Sequence, residues 1–432
     1  MSFFCYETLQ INNLIVKIQC MIYKRRLQKL ISTVYNSDKN IIITGARQTG
    51  KSTLLEKLLA ESLYKNNYSY ITFDDPDVRD FYSANAVEKL SAENKDVLIL
   101  DEVQKFPKIF DVVKVLIDRA KNKHCFLTGS SQLMLLKSVQ ESLAGRVSLF
   151  KMYPLAFSEL FDDRTEIFLD KIFEPNFNNK FPTLSLTQKK DLDYKLFQHQ
   201  SFGGYPAVLN SSDIETKQRW LHNYKNTYLE KDIKDLSSSI ELEKMSKFLN
   251  IVADRTGQIY SYSEVARDCQ ISVTSANNYT KLMQISCQIQ LLQPYYANIS
   301  KRLIKAPKLY FLDTGLVRTI LKNTEKNLSG KEYETWVFSE LIKWQSVKNI
   351  PPEIYYYRTS AGLEIDFIVK YKDKTIPIEV KMKDRIYSTD YRALKLFMSQ
   401  YKINFGIIVY KGDTVENVAA GIYAIPDKIL FL

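Results

Sequence analysis

Histidine is scarce in this chain of 432 residues, which contains only His124, His199 and His222. Three dispersed imidazoles are too few for a zinc site or a Ser-His-Asp constellation, so two large classes of enzyme are excluded. The five cysteines are odd in number and form no CxxC pair. Neither a disulfide framework nor a thiolate zinc site is therefore predicted.

Long apolar runs are also lacking. No segment approaches the roughly 18 uninterrupted apolar residues that a membrane-spanning helix requires. The first 20 residues contain Glu7 and do not open with the basic segment of a secretory signal. With 45% hydrophobic residues the chain can bury ordinary cores, and its length predicts roughly two to four domains. We expect a soluble, cytoplasmic protein that does not engage a membrane.

Negative charge falls short of positive charge. Lysine and arginine together number 60, and aspartate and glutamate 49, which gives a formal net charge of +11. Such an excess favours a polyanionic partner, and nucleic acid is the first candidate. The alternative is a biased composition that serves no acidic partner.

Residues 40–64 carry the clearest motif of the chain. The sequence NIIITGARQTGKSTLLEKLLAESLY is an apolar β-branched run, a G-x-x-x-x-G-K-[ST] motif and a helix-period pattern, in that order. This context predicts a P-loop, in which Lys51 reaches the β- and γ-phosphates and Ser52 binds Mg²⁺. ATP and Mg²⁺ are therefore the predicted cofactors. The predicted nucleotide-binding residues are Gly45, Ala46, Arg47, Gln48, Thr49, Gly50, Lys51, Ser52 and Thr53.

A second apolar strand, in the sequence DVLILDEVQ at 96–104, ends in Asp101 and Glu102. A continuous apolar run of this kind is typical of a buried parallel strand. Asp101 is predicted to hold Mg²⁺ through water, and Glu102 to polarise the water that attacks the γ-phosphate. The alternative, preferred if the P-loop were absent, is an acidic strand end that caps the next helix.

Further strands are predicted within 68–76, 124–131 and 146–155, separated by helical segments. This alternation predicts an α/β fold with a parallel sheet and helices on both faces. Thr128 or Ser130 is a candidate sensor of the γ-phosphate, with turn chemistry as the alternative. Arg146 is a candidate arginine finger, in cis or across the boundary of a homo-oligomer, and an exposed arginine is the alternative.

Eleven short motifs follow one another along the chain. In order, they are GARQTGKSTLL, FDDP, LDEVQ, LTGSS, ESLAGR, PLAFSE, GGYP, YLEKDI, KAPKLYFLDTGL, EIDFIV and EVK. In this respect the chain resembles a prokaryotic family of AAA-type ATPases whose C-terminal half is a domain of unknown function. The resemblance implies a P-loop ATPase of the additional-strand, catalytic-glutamate type, then a winged helix and a restriction-endonuclease-like α/β domain.

The resemblance covers the chain from about residue 23 onward. Met21 resembles the usual first residue of the family. We therefore expect that the start codon assigned at Met1 is wrong. The expected parts are an N-terminal extension at 1–21, the ATPase domain at 22–160, a helical lid or linker at 161–240, the winged helix at 241–320 and the nuclease-like domain at 321–432.

Residues 156–236 mix proline, asparagine and charged clusters, which favours an insertion or lid over a core. We assign no chemistry to them. A helix-period apolar stripe near the end of this segment is interpreted as core rather than as a surface that stacks on bases. The stripe consists of Trp220, Leu221, Tyr224, Tyr228 and Leu229.

Residues 241–313 have the order of a winged helix, with Ser272 as the N-cap of the second helix of a helix-turn-helix. That helix would enter the major groove by its N-terminus, although the module also serves as a protein contact. The candidate DNA-facing residues are Thr274, Ser275, Asn277, Asn278 and Lys281 on the helix and Lys301, Arg302 and Lys305 on the wing.

The last predicted domain has a helix and then three strands within 354–384. Asp366 lies on one strand, and Glu379 and Lys381 lie on one face of the next, because side chains two residues apart share a face. Two carboxylates and a lysine suit metal-dependent hydrolysis of a phosphodiester, with Asp366 and Glu379 holding a second divalent metal. The pattern resembles a PD-(D/E)XK site, in which Glu334 matches the acid of the first helix.

Two functions follow from these features. The first is an ATP-driven enzyme that processes DNA, in which the nucleotide state positions the winged helix and the nuclease-like domain. The second is a regulatory ATPase switch whose C-terminal half binds protein or nucleic acid without cleavage. ATP hydrolysis is common to both.

Overall fold

The computed structural model describes residues 3–11, 14–35, 40–59, 63–65, 67–119, 123–129, 139–161, 166–183, 185–229, 242–296 and 306–432. Strands β1 (Phe3–Ile11) and β2 (Leu14–Ile22) pair as an antiparallel hairpin in the segment predicted as an N-terminal extension.

Among the helices of the described residues, none combines the length and the apolar character that crossing a membrane requires.

Five parallel strands form the first large sheet, in the order β4-β5-β6-β3-β7. They are β3 (Ile41–Thr44), β4 (Tyr68–Thr72), β5 (Val97–Asp101), β6 (His124–Gly129) and β7 (Ser148–Lys151). Ile41 and Ile43 belong to one buried cluster and Ile42 to another, so alternate side chains of β3 pack on opposite faces. The predicted parallel sheet with helices on both faces is confirmed.

The helices around this sheet are α1 (Arg26–Val34), α2 (Lys51–Thr53), α3 (Pro76–Tyr82), α4 (Ala86–Ser91) and α5 (Ile109–Arg119). Helix α2 continues as a π-helical turn, Leu54–Leu58, and a second π-helical turn spans Val139–Leu143. α1 and the π-helical turn Leu54–Leu58 cover the face with Ile41, whereas α4 and α5 cover the face with Ile42.

A mostly helical region follows. It contains α6 (Phe168–Ile172), α7 (Leu186–Phe202), α8 (Pro206–Asn210), α9 (Ile214–Asn223) and π-helical residues Tyr224–Leu229. Leu221 and Tyr224 are buried, as the core interpretation of their stripe predicted, and Trp220 packs against the same cluster. The side chains of Tyr228 and Leu229 lie outside the part that the structure describes.

The interpretation of 156–236 as an insertion outside the core is wrong for residues 157–161 and 167–173. Phe157, Phe168 and Phe173 are buried in the cluster that also contains much of the C-terminal domain. The ring of Phe173 stacks on Trp344, with their centroids 5.5 Å apart. The polar composition of the longer segment hid these aromatic residues, which cover a helix more than 150 residues further along the chain.

Residues 242–296 and 306–311 form a unit that we call the winged unit. It contains α10 (Leu242–Asp254), β8 (Gln258–Ile259), α11 (Tyr262–Cys269), α12 (Val273–Ile285), β9 (Ile289–Leu292) and β10 (Lys308–Phe311). Its strands form an antiparallel sheet in the order β8-β10-β9. Ser272 is the N-cap of α12, as predicted, and its hydroxyl accepts from the N–H of Ser275 at 3.0 Å. Lys301, Arg302 and Lys305 lie outside the described residues.

The C-terminal domain is a six-stranded mixed sheet in the order β11-β12-β13-β14-β16-β15. Its strands are β11 (Glu353–Arg358), β12 (Glu364–Tyr371), β13 (Lys374–Lys381), β14 (Gly406–Tyr410), β15 (Glu416–Ala419) and β16 (Ile422–Pro426). The helices that follow the winged unit are α13 (Thr314–Ile320), α14 (Gly330–Ser346), α15 (Arg392–Tyr401) and α16 (Asp427–Leu430). The prediction of a helix and then three strands is confirmed by α14 and β11 to β13.

The winged unit joins the edge of the C-terminal sheet through its backbone. The N–H of Tyr295 donates to the carbonyl of Tyr356 on β11 at 2.6 Å, and the N–H of Tyr356 donates to Gln293 at 3.1 Å. The ring of Tyr310 on β10 also stacks on Phe338 of α14, with their centroids 4.3 Å apart. Backbone pairing and ring stacking together fix the winged unit against this domain.

Candidate functional site

The loop between β3 and α2 requires two glycines. Gly45 has a φ of 149°, and a Cβ there would collide with the carbonyl oxygen of Met152. Gly50 has a φ of 92°, which is a left-handed conformation that side chains disfavour. The loop can therefore wrap closely only because both positions lack a side chain.

Lys51 is buried at the first turn of α2. Its Nζ donates to the carbonyl oxygens of Ala46 at 2.9 Å and Gly45 at 3.2 Å. Burial lowers the pKa of Lys51, although the nearby carboxylates of Glu102 and Asp101 act in the opposite direction. The loop itself thus positions the lysine beside the cavity described below.

Asp101 ends β5 as a buried carboxylate. Its Oδ2 accepts from the hydroxyls of Ser52 at 3.0 Å and Tyr70 at 2.5 Å, and its Oδ1 accepts from Thr128. The Thr128 hydroxyl thus contacts the aspartate, whereas the other candidate sensor, Ser130, lies outside the described residues. Hydroxyl and carboxylate oxygens this close together suit Mg²⁺, which prefers oxygen ligands.

Tyr70 was not among the site residues that the sequence predicted. Burial, and then its hydrogen bond to Asp101, raise the pKa of the phenol, so it donates to the carboxylate over the physiological range. Tyr70 lies in the middle of β4, which pairs with β5 through Tyr70 and Ile99. The sequence places Tyr70 on a strand but does not show that this strand lies beside β5, so its contact with Asp101 could not be predicted.

Glu102 faces a cavity of about 370 Å³ at the P-loop. The cavity is lined by Arg47, Gln48, Gly50, Lys51, Ser52, Thr53, Asp74 and Glu102. The backbone of Glu102 is left-handed, with a φ of 53°, and its carboxylate accepts from the amide of Gln104. Asp74 is a further lining acid, from the FDDP motif, and its hydrogen bond from Lys105 lowers its pKa. Six of the nine predicted loop residues and the predicted base therefore meet at one cavity, whereas Gly45, Ala46 and Thr49 do not line it.

Arg146 lies away from this cavity. It pairs with Asp118 at 2.9 Å on the surface. Strands β3 and β7 run parallel with Ile41 opposite Ser148, so Arg146, two residues before Ser148, lies at the edge of the sheet opposite the P-loop. The cis alternative for an arginine finger is therefore wrong in this arrangement, because a four-residue strand separates the two edges.

The predicted acids of the C-terminal domain converge. Glu334 lies on α14, Asp366 on β12, and Glu379 and Lys381 on β13. Asp366 Oδ2 accepts from the N–H of Val380 at 2.8 Å, and Lys381 Nζ lies 2.6 Å from Glu379 Oε1. The prediction that Glu379 and Lys381 share one face of a strand is thus confirmed.

Two residues of this cluster were missed in the sequence. Lys308 of β10 places its Nζ 2.5 Å from Glu364 Oε1, 3.2 Å from Glu334 Oε1 and 4.0 Å from Asp366 Oδ1. Tyr310 also donates to Glu334. Glu364 and Lys308 stand in the motifs EIDFIV and KAPKLYFLD, but no local spacing brings their strands together. We call Lys308, Glu334, Glu364, Asp366, Glu379 and Lys381 the acid cluster.

Burial and mutual repulsion shift the titration of this cluster. Burial, and then the charge of Asp366, raise the pKa of Glu334 to about 7 and that of Glu379 to about 8. Burial also raises the pKa of Asp366. Burial alone would lower the pKa of Lys308, but the charges of Glu334, Asp366 and Glu364 outweigh this effect and raise it, so the lysine stays charged.

The cluster does not fit a divalent metal ion in this arrangement. The ammonium of Lys308 lies where a cation would meet Glu334 and Asp366. Throughout the described parts of the chain, no three histidine, cysteine or acidic side chains are close enough to share a metal ion. A lysine nitrogen thus stands in for the cation that the sequence pattern predicts.

The predicted DNA-facing residues of α12 occupy its open side. Thr274, Asn278 and Lys281 are exposed, and Ser275 and Asn277 are half-buried. The opposite side of the helix is buried against the winged unit. The described part of this surface carries one lysine and is mostly polar, with Val273 exposed at its N-terminal end.

Three family matches divide the chain. Residues 37–161 match an AAA domain family. This part of the chain is therefore similar to AAA domains. Residues 193–327 and 329–430 match two domains of unknown function, DUF8612 and DUF4143. The AAA domain therefore contains the whole P-loop site, whereas the acid cluster spans both of the other two matches.

The chain is also similar to full-length relatives. An uncharacterized protein of Mycobacterium tuberculosis, Rv2008c, is 26% identical, with 96% of this chain and 86% of that protein covered. An uncharacterized protein of Methanocaldococcus jannaschii, MJ1544, is 24% identical over 96% of this chain and 90% of its own length. A solved Walker-type ATPase of Pyrococcus abyssi is 14% identical over 70% of this chain and 96% of its own, with a TM-score of 0.43.

Proposed function

We propose that the AAA domain binds ATP with Mg²⁺ and hydrolyses it. The observation that carries this proposal is the hydrogen bond of 3.0 Å from the Ser52 hydroxyl to Asp101 Oδ2, next to a cavity that Ser52, Lys51 and Glu102 line. A domain that only bound nucleotide would need the lysine and the hydroxyl but no carboxylate at the position of Glu102.

Each residue has a distinct role in this proposal. The backbone from Gly45 to Thr53 encloses the phosphates, and Lys51 leaves its two loop carbonyls to contact them. Ser52 and Asp101 would hold Mg²⁺, which neutralises charge on the phosphates. Glu102 accepts a proton from the attacking water and so orients it.

We further propose that the nucleotide state reaches the C-terminal half through Tyr224. Its hydroxyl donates to the carbonyl of Arg47 in the P-loop at 3.4 Å and accepts from the amide of Gln288 at 3.3 Å. Ala46 of the same loop is buried in the cluster that contains the C-terminal core. A shift of this loop on binding phosphates would thus displace residues of the winged unit.

The proposed partner of the winged unit is DNA. The winged unit has three helices, with a strand between the first two and two more strands after the third. This order supports a winged helix in which α12 is the recognition helix. Thr274, Asn278 and Lys281 would face the groove, and the net charge of +11 supplies attraction to phosphates. The other proposed parts remain an N-terminal extension at 1–21, the ATPase at 22–160 and a helical lid or linker at 161–240, but residues 167–173 pack with the nuclease-like domain at 321–432.

The convergence of Glu334, Asp366, Glu379 and Lys381 favours a second candidate function, metal-dependent cleavage of the bound DNA. Lys308 opposes it in the described arrangement, because its ammonium occupies the cation position. We therefore favour an ATP-dependent DNA-binding switch that does not cut DNA while Lys308 remains in the cluster. Arg146 would act only across a homo-oligomer boundary.

The decisive experiment measures ATP turnover with and without duplex DNA, together with cleavage of that DNA in Mn²⁺. Turnover that DNA stimulates, with no cleavage, would support the switch. Cleavage that Glu379→Ala abolishes would support the second candidate. ATP turnover that DNA does not change, together with no DNA binding at low salt, would overturn the proposed partner. The absence of any ATP turnover would overturn the proposed ATPase.

A further inference from the structure

A buried arginine far from the P-loop in sequence holds one of the carbonyl groups of that loop. Arg25 is the N-cap residue of α1 and is only 8% exposed. Its Nη1 donates to the carbonyl oxygen of Thr49 at 2.8 Å, and its Nη2 donates to the carbonyl oxygen of Tyr153 at 2.7 Å. The planar guanidinium therefore ties the P-loop to the segment that follows β7, which the single nitrogen of a lysine could not do in the same way.

The charge of Arg25 is compensated by the protein itself. Its Nε lies 3.2 Å from Oε2 of Glu159, whose side chain is also buried. Oε2 accepts from the N–H of Ala156 at 2.9 Å, and Oε1 accepts from the N–H of Arg26 at 2.6 Å. A buried ion pair is well supported when further hydrogen bonds satisfy its oxygens. Arg25 is thus fixed in place and needs no bound phosphate to balance its charge.

The contact with Thr49 sets the direction of one peptide group in the loop. The carbonyl and the N–H of a trans peptide point in opposite directions, so a Thr49 carbonyl that faces Arg25 turns the N–H of Gly50 away from the arginine. Gly50 lines the cavity at the P-loop, whereas Arg25 does not. Glycine adopts positive and negative φ about equally well, so Gly50 does not by itself fix its φ of 92°. Arg25 supplies the restraint that the glycine lacks.

We propose that Arg25 is a positioning residue of the nucleotide site, and that its effect passes through the Thr49–Gly50 peptide. The guanidinium keeps the N–H of Gly50 directed into the cavity, where backbone N–H groups bind phosphates. Without it, this peptide can rotate and present a carbonyl oxygen to the phosphates, which repels them. Arg25 therefore sets the affinity for ATP and ADP, an inference that rests on the proposed nucleotide binding, while Glu102 remains the base.

Arg26 provides a matched control in the same helix. It is 6% exposed, and its guanidinium pairs with Asp170 at 3.1 Å. Asp170 also accepts from the indole of Trp344 at 2.7 Å, so substitution of either arginine leaves behind a carboxylate that keeps another donor. Of the two guanidinium groups, Arg25 alone contacts the P-loop in the described part of the chain. The two glutamine variants therefore lose similar buried ion pairs but differ at Thr49.

The test is the binding of ADP with Mg²⁺ to the full chain, measured by isothermal titration calorimetry, followed by steady-state ATP turnover. We expect Arg25→Gln to weaken ADP binding at least about tenfold, and Arg26→Gln to stay within about twofold of wild type. Arg25→Gln should raise KM for ATP by a similar factor and leave kcat within about threefold, because the contact acts on binding. A merely structural role would lower kcat through the fraction of active protein and leave KM unchanged.

Thermal unfolding shows whether each variant is folded. If Arg25→Gln does not fold, Arg25→Lys is compared with Arg26→Lys, and the expected loss of ADP affinity is at least about threefold, because one nitrogen replaces the fork. Equal ADP affinities of the folded Arg25 and Arg26 variants would overturn the inference, as would a fall in kcat with unchanged KM. Wild type that binds ADP but does not hydrolyse ATP would overturn the proposed hydrolysis alone, because the ADP comparison still decides the role of Arg25.

Discussion

The indole Nε1 of Trp336 donates to Nδ1 of His199 at 2.9 Å, across the boundary between α7 and α14. The other ring nitrogen, Nε2, contacts the carbonyl oxygen of Leu155 at 2.8 Å. A carbonyl only accepts, so Nε2 carries the proton and Nδ1 must be unprotonated to accept from the indole. The packing of the two helices therefore selects a neutral imidazole.

This geometry predicts a dependence of stability on pH. Burial, with a smaller effect of Lys343, lowers the pKa of His199 from 6.5 to about 4. The unfolded state therefore binds the proton more readily, and stability is lost as the pH falls from 6.5 toward 4. The expected loss in the free energy of unfolding is on the order of 3 kcal/mol.

Urea denaturation between pH 7 and pH 4 measures this loss. The control is His199→Gln, which keeps a donor for the Leu155 carbonyl but does not titrate. We expect this variant to be less stable at pH 7, and its stability to fall less steeply below pH 6.5. Equal slopes for the two proteins would contradict the assigned protonation state.

The ATPase proposal separates two variants of the P-loop site. Lys51→Ala should weaken ATP binding at least about 100-fold, because the phosphates lose a buried cation. Glu102→Gln should bind ATP with unchanged affinity and hydrolyse it about 100-fold more slowly, since the amide cannot accept the proton of water. Binding of a fluorescent ATP analogue and steady-state phosphate release measure the two effects. Normal turnover by the glutamine variant would show that Glu102 is not the base.

Tyr224→Phe should weaken communication between the nucleotide and the winged unit. Its hydroxyl is the only atom removed, and it bridges Arg47 and Gln288. In the Glu102→Gln background, we expect ATP to change hydrogen exchange at residues 286–292, and Tyr224→Phe to reduce that change by about half or more.

Tyr262→Phe is the matched control for this prediction. Tyr262 is half-buried in the same winged unit, and among the described residues its hydroxyl makes no hydrogen bond. It should leave the ATP-dependent change in exchange intact. A similar loss in both phenylalanine variants would point to a general loosening of the winged unit instead.

Arg146→Ala should leave the ATP turnover of dilute, monomeric protein within about twofold of wild type. Arg146 cannot reach the P-loop of its own chain, and its exposed ion pair with Asp118 contributes little to stability. Turnover is measured across protein concentrations together with light scattering. A loss that appears only where the chain associates would support action in trans. A large loss in the monomer would contradict the placement of Arg146 at the far edge of the sheet.

The P-loop site could be predicted because its parts are local in sequence. Gly45 to Thr53 form one continuous loop, and Asp101 and Glu102 end a strand whose apolar run is visible in the sequence. The face shared by Glu379 and Lys381 was predictable for the same reason, since the pleat of a strand fixes it. Tyr70 was not, because its contact with Asp101 depends on which strands are neighbours.

By itself, the sequence determined the nucleotide loop, the parallel sheet around it, the N-cap at Ser272 and the three strands β11 to β13. Only the tertiary structure decided that Arg146 faces away from the P-loop, that Phe157 and Phe173 are core, and that Lys308 enters the acid cluster. The physical reason is the range of the interactions. Hydrogen bonding and side-chain periodicity act over a few residues, whereas burial and charge pairing join whichever distant surfaces the packed units bring into contact.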